Sequence, residues 1–232
     1  MDKTEARIHL VKQMSDEFRT TLDAYSAITR LQMLLDDIKL LQASFDKSPP
    51  ETPYSKWRDF GIEIVSFYPV GFVTCLEWHA RARLADLLIF KPSAIEEDDL
   101  KRDVSSKTLC RLVAQNVSIP YFVAATRNVS HADTYFAIFN RLFRELELSN
   151  SSQTIVRQVS NGADDPLAEF NELFEYRNTL VHEINHTHIG HPFFHNHLNC
   201  HGALGYGETR SMLLERWNKL SQRRLLRVSL GS

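Results

Sequence analysis

Residues 166–185 read PLAEFNELFEYRNTLVHEIN and have the clearest helical pattern of the chain. Apolar side chains recur there at alternating steps of three and four residues, which is the spacing of one face of an α-helix. Asp165 stands at the expected N-cap position, and Pro166 suits the first helical position because it has no backbone N–H to leave unpaired. The pattern predicts an amphipathic helix from Pro166 to about Asn185. Its apolar stripe contains Leu167, Phe170, Phe174, Val181 and Ile184, with an arginine at position 177.

The N-terminal part of the chain has helical spacing over two longer stretches. Neither glycine nor proline occurs in residues 1–48, and the apolar residues between positions 8 and 45 predict one long helix or two abutting ones. A second helix is predicted over about 54–90, with a kink or a break at Pro69 and Gly71. We therefore expect this part of the chain to be helical nearly throughout.

Further helices are predicted over 105–117, 131–148 and 208–227, separated by polar segments at 93–104, 149–165 and 186–207. Glycine and proline number only 8 each, fewer than turn-dense sandwiches and barrels use, and no useful stretch alternates with the period of a strand. The predicted fold is all-α. We expect residues 1–232 to form a single domain, with 1–48 as an N-terminal helical extension and 186–232 as a histidine-rich loop followed by a basic C-terminal helix.

The overall composition is that of a globular protein, with 43% hydrophobic and 24% charged residues. A formal net charge of −2 gives no global signature for nucleic acid or an anionic membrane, so any nucleic-acid surface must be local. Cys75, Cys110 and Cys200 are far apart and odd in number, which indicates reduced thiols rather than a disulfide framework. Because no 18-residue stretch is both apolar and free of charge, we expect a cytoplasmic protein without a membrane partner.

Arg177 interrupts the apolar stripe of the helix at 166–185. A buried guanidinium requires an anion nearby, either a carboxylate or a bound phosphate, because an unpaired buried charge is costly. The helix predicted over 54–90 has the complementary anomaly, since its own apolar stripe includes Glu77. The other members of that stripe are Val73, Ala80, Leu84 and Leu88. We therefore predict that Arg177 and Glu77 pair.

Asn178 and His182 lie four residues apart and share a face of the helix, and Arg177 adjoins Asn178. Together they supply a cation that can bind a phosphate, an amide that can orient substrate or imidazole, and an imidazole that can move a proton. These groups suit acid–base cleavage of a phosphodiester. A similar pattern, RNVSH at 127–131, is one residue shorter and falls at a predicted loop and helix start.

The segment YRNTLVHEI, which contains Arg177, Asn178 and His182, resembles the Arg-x(4–6)-His signature of HEPN domains, in which a polar residue usually follows the arginine. The resemblance covers residues from about 54 to 185 and implies a HEPN-like antiparallel helical bundle. Many HEPN domains are metal-independent endoribonucleases that dimerise so that two Arg/His motifs face one another. An acidic or polar residue on an earlier helix commonly accompanies the motif, and Glu77 would take that place.

The resemblance implies an endoribonuclease that acts on RNA as a homodimer, needs no cofactor, and leaves 2′,3′-cyclic phosphate and 5′-hydroxyl ends. Many such proteins are toxins or defence effectors, so a neutralising antitoxin is a further expected partner. Two other classes stay open. One is a non-catalytic nucleotide-binding or protein-interaction module, in which the motif holds a nucleotide or serves only the fold, as a buried salt bridge and a helix histidine. The other is a metal-binding protein.

The metal-binding alternative rests on a histidine-rich segment, HEINHTHIGHPFFHNHLNCH, at 182–201. Imidazoles and a thiolate suit zinc, although the spacing matches no standard zinc module. The same composition suits a polar loop without metal, or a surface that contacts RNA. The candidate ligands are His186, His188, His195, His197 and Cys200.

The last predicted helix is basic. Its cations outnumber its acids over 209–228, where Glu215 is the one carboxylate. Such a run is commonly only a solvated helix face, but it can also contact RNA phosphates, which supply most sequence-independent affinity. The candidate RNA-binding residues are Arg216, Lys219, Arg223 and Arg224.

Overall fold

The computed structural model describes residues 5–6, 8–9, 24–46, 54–159, 165–182 and 200–230. The regular elements in these ranges are helical, which confirms the all-α prediction at the level of fold class. A 3₁₀ turn, Pro92–Ala94, follows the second helix. The α-helices are α1 (Ala24–Asp46), α2 (Tyr54–Phe90), α3 (Glu97–Asp103), α4 (Ser106–Ala114), α5 (Ile119–Thr126), α6 (Ala132–Glu145), α7 (Ser152–Val159), α8 (Pro166–His182) and α9 (Cys200–Leu230).

Helix α2 is central, because α1, α5, α6, α8 and α9 all pack against it, and α1 and α9 also pack against each other. Two glycines permit the close approach of these helices. A Cβ at Gly207 of α9 would collide with Leu35 of α1 and lie 3.0 Å from Phe72 of α2. A Cβ at Gly71 of α2 would lie 2.8 Å from Leu34 of α1. A larger residue at Gly207 would therefore force apart Leu35 and Phe72, whereas at Gly71 the side chain of Leu34 would have to move.

The core is aromatic at its centre. The ring of Tyr135 lies 5.3 Å from those of both Phe170 and Trp217, and Phe139 stacks on Trp217 at 3.9 Å. These rings bring α6, α8 and α9 together, and aromatic pairs add about 0.5–1.5 kcal/mol beyond their buried area. His79 of α2 is fully buried in the same core and stacks on Phe139. Burial, with a smaller contribution from the nearby charge of Arg83, lowers the pKa of His79 well below its ordinary value.

Helix α8 begins as predicted. The side chain of Asp165 accepts hydrogen bonds of 3.2 Å from the backbone N–H groups of Leu167 and Ala168, so it caps the helix. Towards the C-terminal end, the buried face of α8 departs from the predicted stripe. Leu180 is buried and Val181 is 51% exposed, so the predicted apolar stripe is buried at Phe170 and Phe174 but not at Val181.

Helix α2 covers the predicted range 54–90. A kink or a break was expected at Pro69 and Gly71, and the helix continues through Pro69 without a break. The predicted stripe around Glu77 is confirmed, since its apolar members are fully buried. Helix α1 covers the C-terminal part of the predicted N-terminal helix, and residues 10–23 lie outside the described ranges. The apolar face of α1 belongs to the same hydrophobic cluster as α2 and α9. The predicted division into an extension at 1–48 and a core at 54–185 stays a prediction.

Three segments predicted as loops contain helix. Residues 93–104 include α3, whose start is stabilised by a reciprocal capping box between Glu96 and Asp99. Residues 149–165 include α7, which buries Ile155 and Val156. Residues 186–207 include the first turns of α9, where Gly207 is favoured by its packing despite its low helix propensity. In each case a local or tertiary contact overrides a polar or glycine-rich sequence.

Among the described helices, none combines the length and the apolar character needed to cross a membrane.

Candidate functional site

The predicted pairing of Arg177 with Glu77 is confirmed. Helix α8 packs against α2, and Nη2 of Arg177 forms an ion pair with Oε1 of Glu77. The two side chains are largely buried, with 13% and 14% of their surface exposed. Burial lowers the pKa of the Arg177 guanidinium from its ordinary value. Glu77 supplies the opposite charge that a buried arginine requires.

Arg81 is a second cation beside Glu77, one turn later on α2. Its Nη2 lies 3.7 Å from Oε2 of Glu77, and its Nε donates a hydrogen bond of 3.2 Å to the carbonyl of Arg127. Each carboxylate oxygen of Glu77 therefore faces one arginine. We refer to Arg81, Glu77 and Arg177 as the Glu77 cluster.

Asn178 uses both ends of its amide within the chain. Its Oδ1 accepts a hydrogen bond of 3.0 Å from Nη1 of Arg177, and its Nδ2 donates one of 3.0 Å to the carbonyl of Ser130. Each amide atom keeps the capacity for one further hydrogen bond. The amide thus fixes the guanidinium of Arg177 and ties α8 to the segment before α6.

His182 is the last residue of α8, one turn beyond Asn178. Residues four apart share a face, with a rise of about 6 Å between them. Its side chain lies outside what the structure describes, so the convergence of the imidazole with Arg177 stays a prediction.

A second arginine and carboxylate group lies nearby, around Asp99 of α3. Asp99 is 1% exposed and pairs with Nη2 of Arg127. It also accepts hydrogen bonds from Nη2 and Nη1 of Arg141, at 2.5 Å and 3.1 Å, and one of 3.1 Å from the backbone N–H of Glu96. Burial by itself raises the pKa of Asp99, but these hydrogen bonds and the charges of both arginines hold it below its ordinary value. We refer to Arg127, Asp99 and Arg141 as the Asp99 cluster.

The segment 127–131 joins the two clusters. The carbonyl of Arg127 accepts from Arg81, while its guanidinium pairs with Asp99. The carbonyl of Ser130 accepts from Asn178, and Val129 between them is fully buried. Sequence reasoning gave this segment no role. Its RNVSH pattern was the available signal, but the packing of α6 against α8 is what brings it to the motif.

The predicted RNA-binding residues divide between two faces of α9. Arg216, Lys219 and Arg223 line one groove of about 390 Å³ with Val159 of α7. Nη2 of Arg216 donates a hydrogen bond of 3.0 Å to Gln158, and Lys219 lies 3.9 Å from Glu215. Arg224 follows Arg223 by about 100° around the helix and is not among the groove residues.

The metal prediction falls mostly outside the described residues. His186, His188, His195 and His197 are not described, and Cys200 is described only as the first residue of α9, without its side chain. Within the described residues, no group of three or more His, Cys, Asp and Glu side chains is placed to bind a metal ion. Zinc binding by the histidine segment therefore stays a prediction.

Comparisons of the chain with protein-family models, with curated proteins and with solved structures gave no match.

Proposed function

We propose that the chain is a metal-independent endoribonuclease of the HEPN type. The Glu77 cluster is the observation that supports it most, because a buried arginine and carboxylate pair lies on the helix that also carries Asn178 and His182. Two protein partners fix the orientation of the Arg177 guanidinium, as a catalytic cation requires. Its Nε has no hydrogen-bond partner among the described groups. The remaining N–H groups of Arg177 can bind phosphate oxygens.

In the proposed reaction the 2′-hydroxyl of one nucleotide attacks the adjacent phosphorus. His182 removes the proton of that hydroxyl, and Arg177 stabilises the negative charge that develops on the phosphoryl oxygens. A protonated imidazole then gives its proton to the leaving 5′-oxygen. The products are a 2′,3′-cyclic phosphate and a 5′-hydroxyl end, and no metal takes part in these steps.

One histidine cannot easily act as base and acid in the same step, so the proposal includes a homodimer in which His182 of the partner subunit is the acid. Asn178 is a positioning residue in this scheme, because its amide orients Arg177. The groove of Arg216, Lys219 and Arg223, together with Arg224, would contact the RNA backbone. A cytoplasmic ribonuclease of this kind would act as a toxin or defence effector with a neutralising partner.

The test is cleavage of a single-stranded RNA by purified protein dialysed against chelator. We expect cleavage to continue without metal, to give cyclic phosphate ends, and to be lost in His182→Ala. His9→Ala is the matched control, since His9 is an exposed histidine near the N-terminus, and it should cleave as wild type does. Loss of activity on metal removal, with zinc bound in stoichiometric amount, would instead favour the histidine segment as the functional centre.

The dimer gives an independent test. At working concentration the protein should be dimeric, and a cross-linking site placed near position 182 should join the two copies. Wild-type chains mixed with an excess of His182→Ala chains should lose more activity than dilution explains, because each mixed dimer keeps only one of the two imidazoles that the reaction needs. A monomer that cleaves RNA at full rate would contradict the two-subunit mechanism.

A second candidate is a non-catalytic helical module in which the motif serves the fold. The observation that favours it is that Arg177 and Asn178 are both bonded within the chain, to Glu77 and to Ser130. In this case the RNA assay would show unchanged substrate, and the protein would bind a nucleotide or a protein without cleaving RNA.

A further inference from the structure

A cleft of about 780 Å³ lies on the other side of Arg127 from the Glu77 cluster. Its walls come from α6, from the end of α5 with the residues that follow it, and from Glu96 before α3. This volume falls in the range of about 300–1,000 Å³ that is typical of small-molecule sites. The cleft shares Arg127 with the motif region but contains none of the residues assigned to the proposed cleavage.

The charged residues that line this cleft are mainly cations. Arg127, Arg141 and Arg144 face it, whereas Glu96 is the acidic residue among the lining side chains. Asp99 lies beneath and is 1% exposed, so it orients Arg127 and Arg141 rather than occupying the space. The cleft is therefore a site with a local positive charge that is already held in place.

Arg141 carries the argument furthest. Its side chain is only 10% exposed and lines the cleft, and its buried Nε forms no hydrogen bond but lies 3.6 Å from Oε1 of Glu96. That distance is too long for a hydrogen bond, and a phosphate oxygen that takes the place of Glu96 Oε1 would give this buried donor the bond it lacks. Its other nitrogens are held by Asp99, so the orientation of the guanidinium is fixed before any ligand arrives.

Three further features suit a phosphate ester rather than a simple ion. Arg144 is 63% exposed at the mouth of the cleft, where its ion pair with Glu96 at 2.8 Å is open to water and can be exchanged for a phosphate. The side chain of Asn128 is exposed at the same cleft and offers its Nδ2, since its Oδ1 accepts from the backbone N–H of Ser130. Ala137 and Ile138 supply an apolar wall on α6 against which a base can lie.

From this arrangement we infer that the cleft binds a nucleoside phosphate. The phosphate lies against Arg127, Arg141 and Arg144, and the nucleoside lies along the wall formed by Ala137 and Ile138. This inference is independent of the proposed ribonuclease activity, because it uses none of the residues assigned to cleavage.

The experiment is calorimetric titration of the whole protein with AMP, GMP, CMP and UMP, and with the four matching nucleosides. At least one nucleotide should bind about tenfold more tightly than its nucleoside and than inorganic phosphate. Arg144→Gln, which removes an exposed charge and leaves the Asp99 cluster intact, should weaken that nucleotide about tenfold. Arg157→Gln is the matched control, because Arg157 is an exposed arginine on α7 that does not line the cleft.

Three results would overturn the inference: no saturable binding of any nucleotide, equal binding by wild type and Arg144→Gln, or equal affinity for inorganic phosphate. A short single-stranded RNA is titrated in parallel. If the RNA binds through Arg144 while no mononucleotide does, the nucleotide assignment is wrong. His182→Ala should keep nucleotide binding, so a failed ribonuclease test and a failed nucleotide test are distinguishable.

Discussion

The Glu77 cluster and the Asp99 cluster both place one buried carboxylate between two arginines. The carboxylate of Asp99 is more fully hydrogen-bonded than that of Glu77. Asp99 is 1% exposed and accepts from both arginines and from a backbone N–H group. Glu77 is 14% exposed, and the second of its arginines stands 3.7 Å away. From this difference we expect the carboxylate of Asp99 to contribute more to the stability of the fold than that of Glu77.

The tighter cluster also has more structural roles. Asp99 closes the capping box of α3 with Glu96, and its two arginines come from the segment after α5 and from α6. Removal of this one carboxylate would therefore disturb three elements. Glu77 joins only α2 to α8. Variants in the Asp99 cluster and in the Glu77 cluster should therefore differ in how much unfolding free energy they lose.

The largest effect is expected from Asp99→Ala. This change removes the buried carboxylate that pairs with both Arg127 and Arg141 and should cost roughly 3–5 kcal/mol of unfolding free energy. Urea denaturation followed by circular dichroism measures it. Asp98→Ala is the control, because Asp98 is an exposed neighbour on the same helix, and it should cost less than about 1 kcal/mol. Equal losses at the two positions would show that the Asp99 cluster does not stabilise the fold.

Arg177→Ala should have the next largest effect, near the lower end of that same range of roughly 3–5 kcal/mol, because Glu77 keeps Arg81 as a partner. His182→Ala should leave the thermal midpoint nearly unchanged while it abolishes cleavage. Thermal unfolding and the RNA assay are measured on the same samples. If both variants are destabilised equally, the motif serves the fold and the second candidate function is favoured.

Asn178→Ala should have a smaller effect, of about 1–2 kcal/mol, because it removes two hydrogen bonds and leaves the ion pair of Arg177 in place. In the proposed ribonuclease, Asn178→Ala should also slow cleavage under conditions in which the variant is still fully folded, since the Arg177 guanidinium loses its orientation. Thr179→Ala, at an exposed position on the same helix, is the control for helix stability. Unchanged activity in Asn178→Ala would contradict the proposal that Asn178 positions Arg177.

The smallest effect is expected from acid, because protonation weakens the contacts of Asp99 without removing its side chain. The pKa of Asp99 is lower in the folded protein than in the unfolded chain. The ionised Asp99 therefore stabilises the fold fully at pH values above its unfolded pKa of about 3.9. That stabilisation is lost as the pH falls from there through the folded pKa. The difference in unfolding free energy between wild type and Asp99→Asn should therefore stay constant from pH 7 to about 5 and shrink below that. A difference that shrinks near pH 7 would contradict the lowered pKa.

Sequence reasoning succeeded where the pattern of each helix contained its own part of the signal. The start of α8 followed from Asp165 and Pro166, because capping depends on neighbours in the chain. The Arg177 and Glu77 pair followed from a charge in each of two apolar stripes, because a buried charge requires an opposite one.

The Asp99 cluster could not be predicted in the same way. Asp99 lies in the acidic run EEDD at 96–99, which is typical of a solvated loop, and its burial depends on arginines 28 and 42 residues further along the chain. Helix α9 was missed over its first turns for a similar reason. The fit of Gly207 against α1 depends on a tertiary contact that no local pattern contains.

The contact between α1 and α9 affects how the chain folds during synthesis. The hydroxyl of Ser211 donates a hydrogen bond of 3.4 Å to Gln32, and these residues are 179 positions apart. At a translation rate of about 5–20 residues per second, roughly 10–35 s separate their synthesis. During this interval the apolar face of α1 that carries Leu31 and Leu35 lacks the helix that covers it in the folded protein. The apolar face of α1 therefore stays partly uncovered in the nascent chain until α9 has left the ribosome.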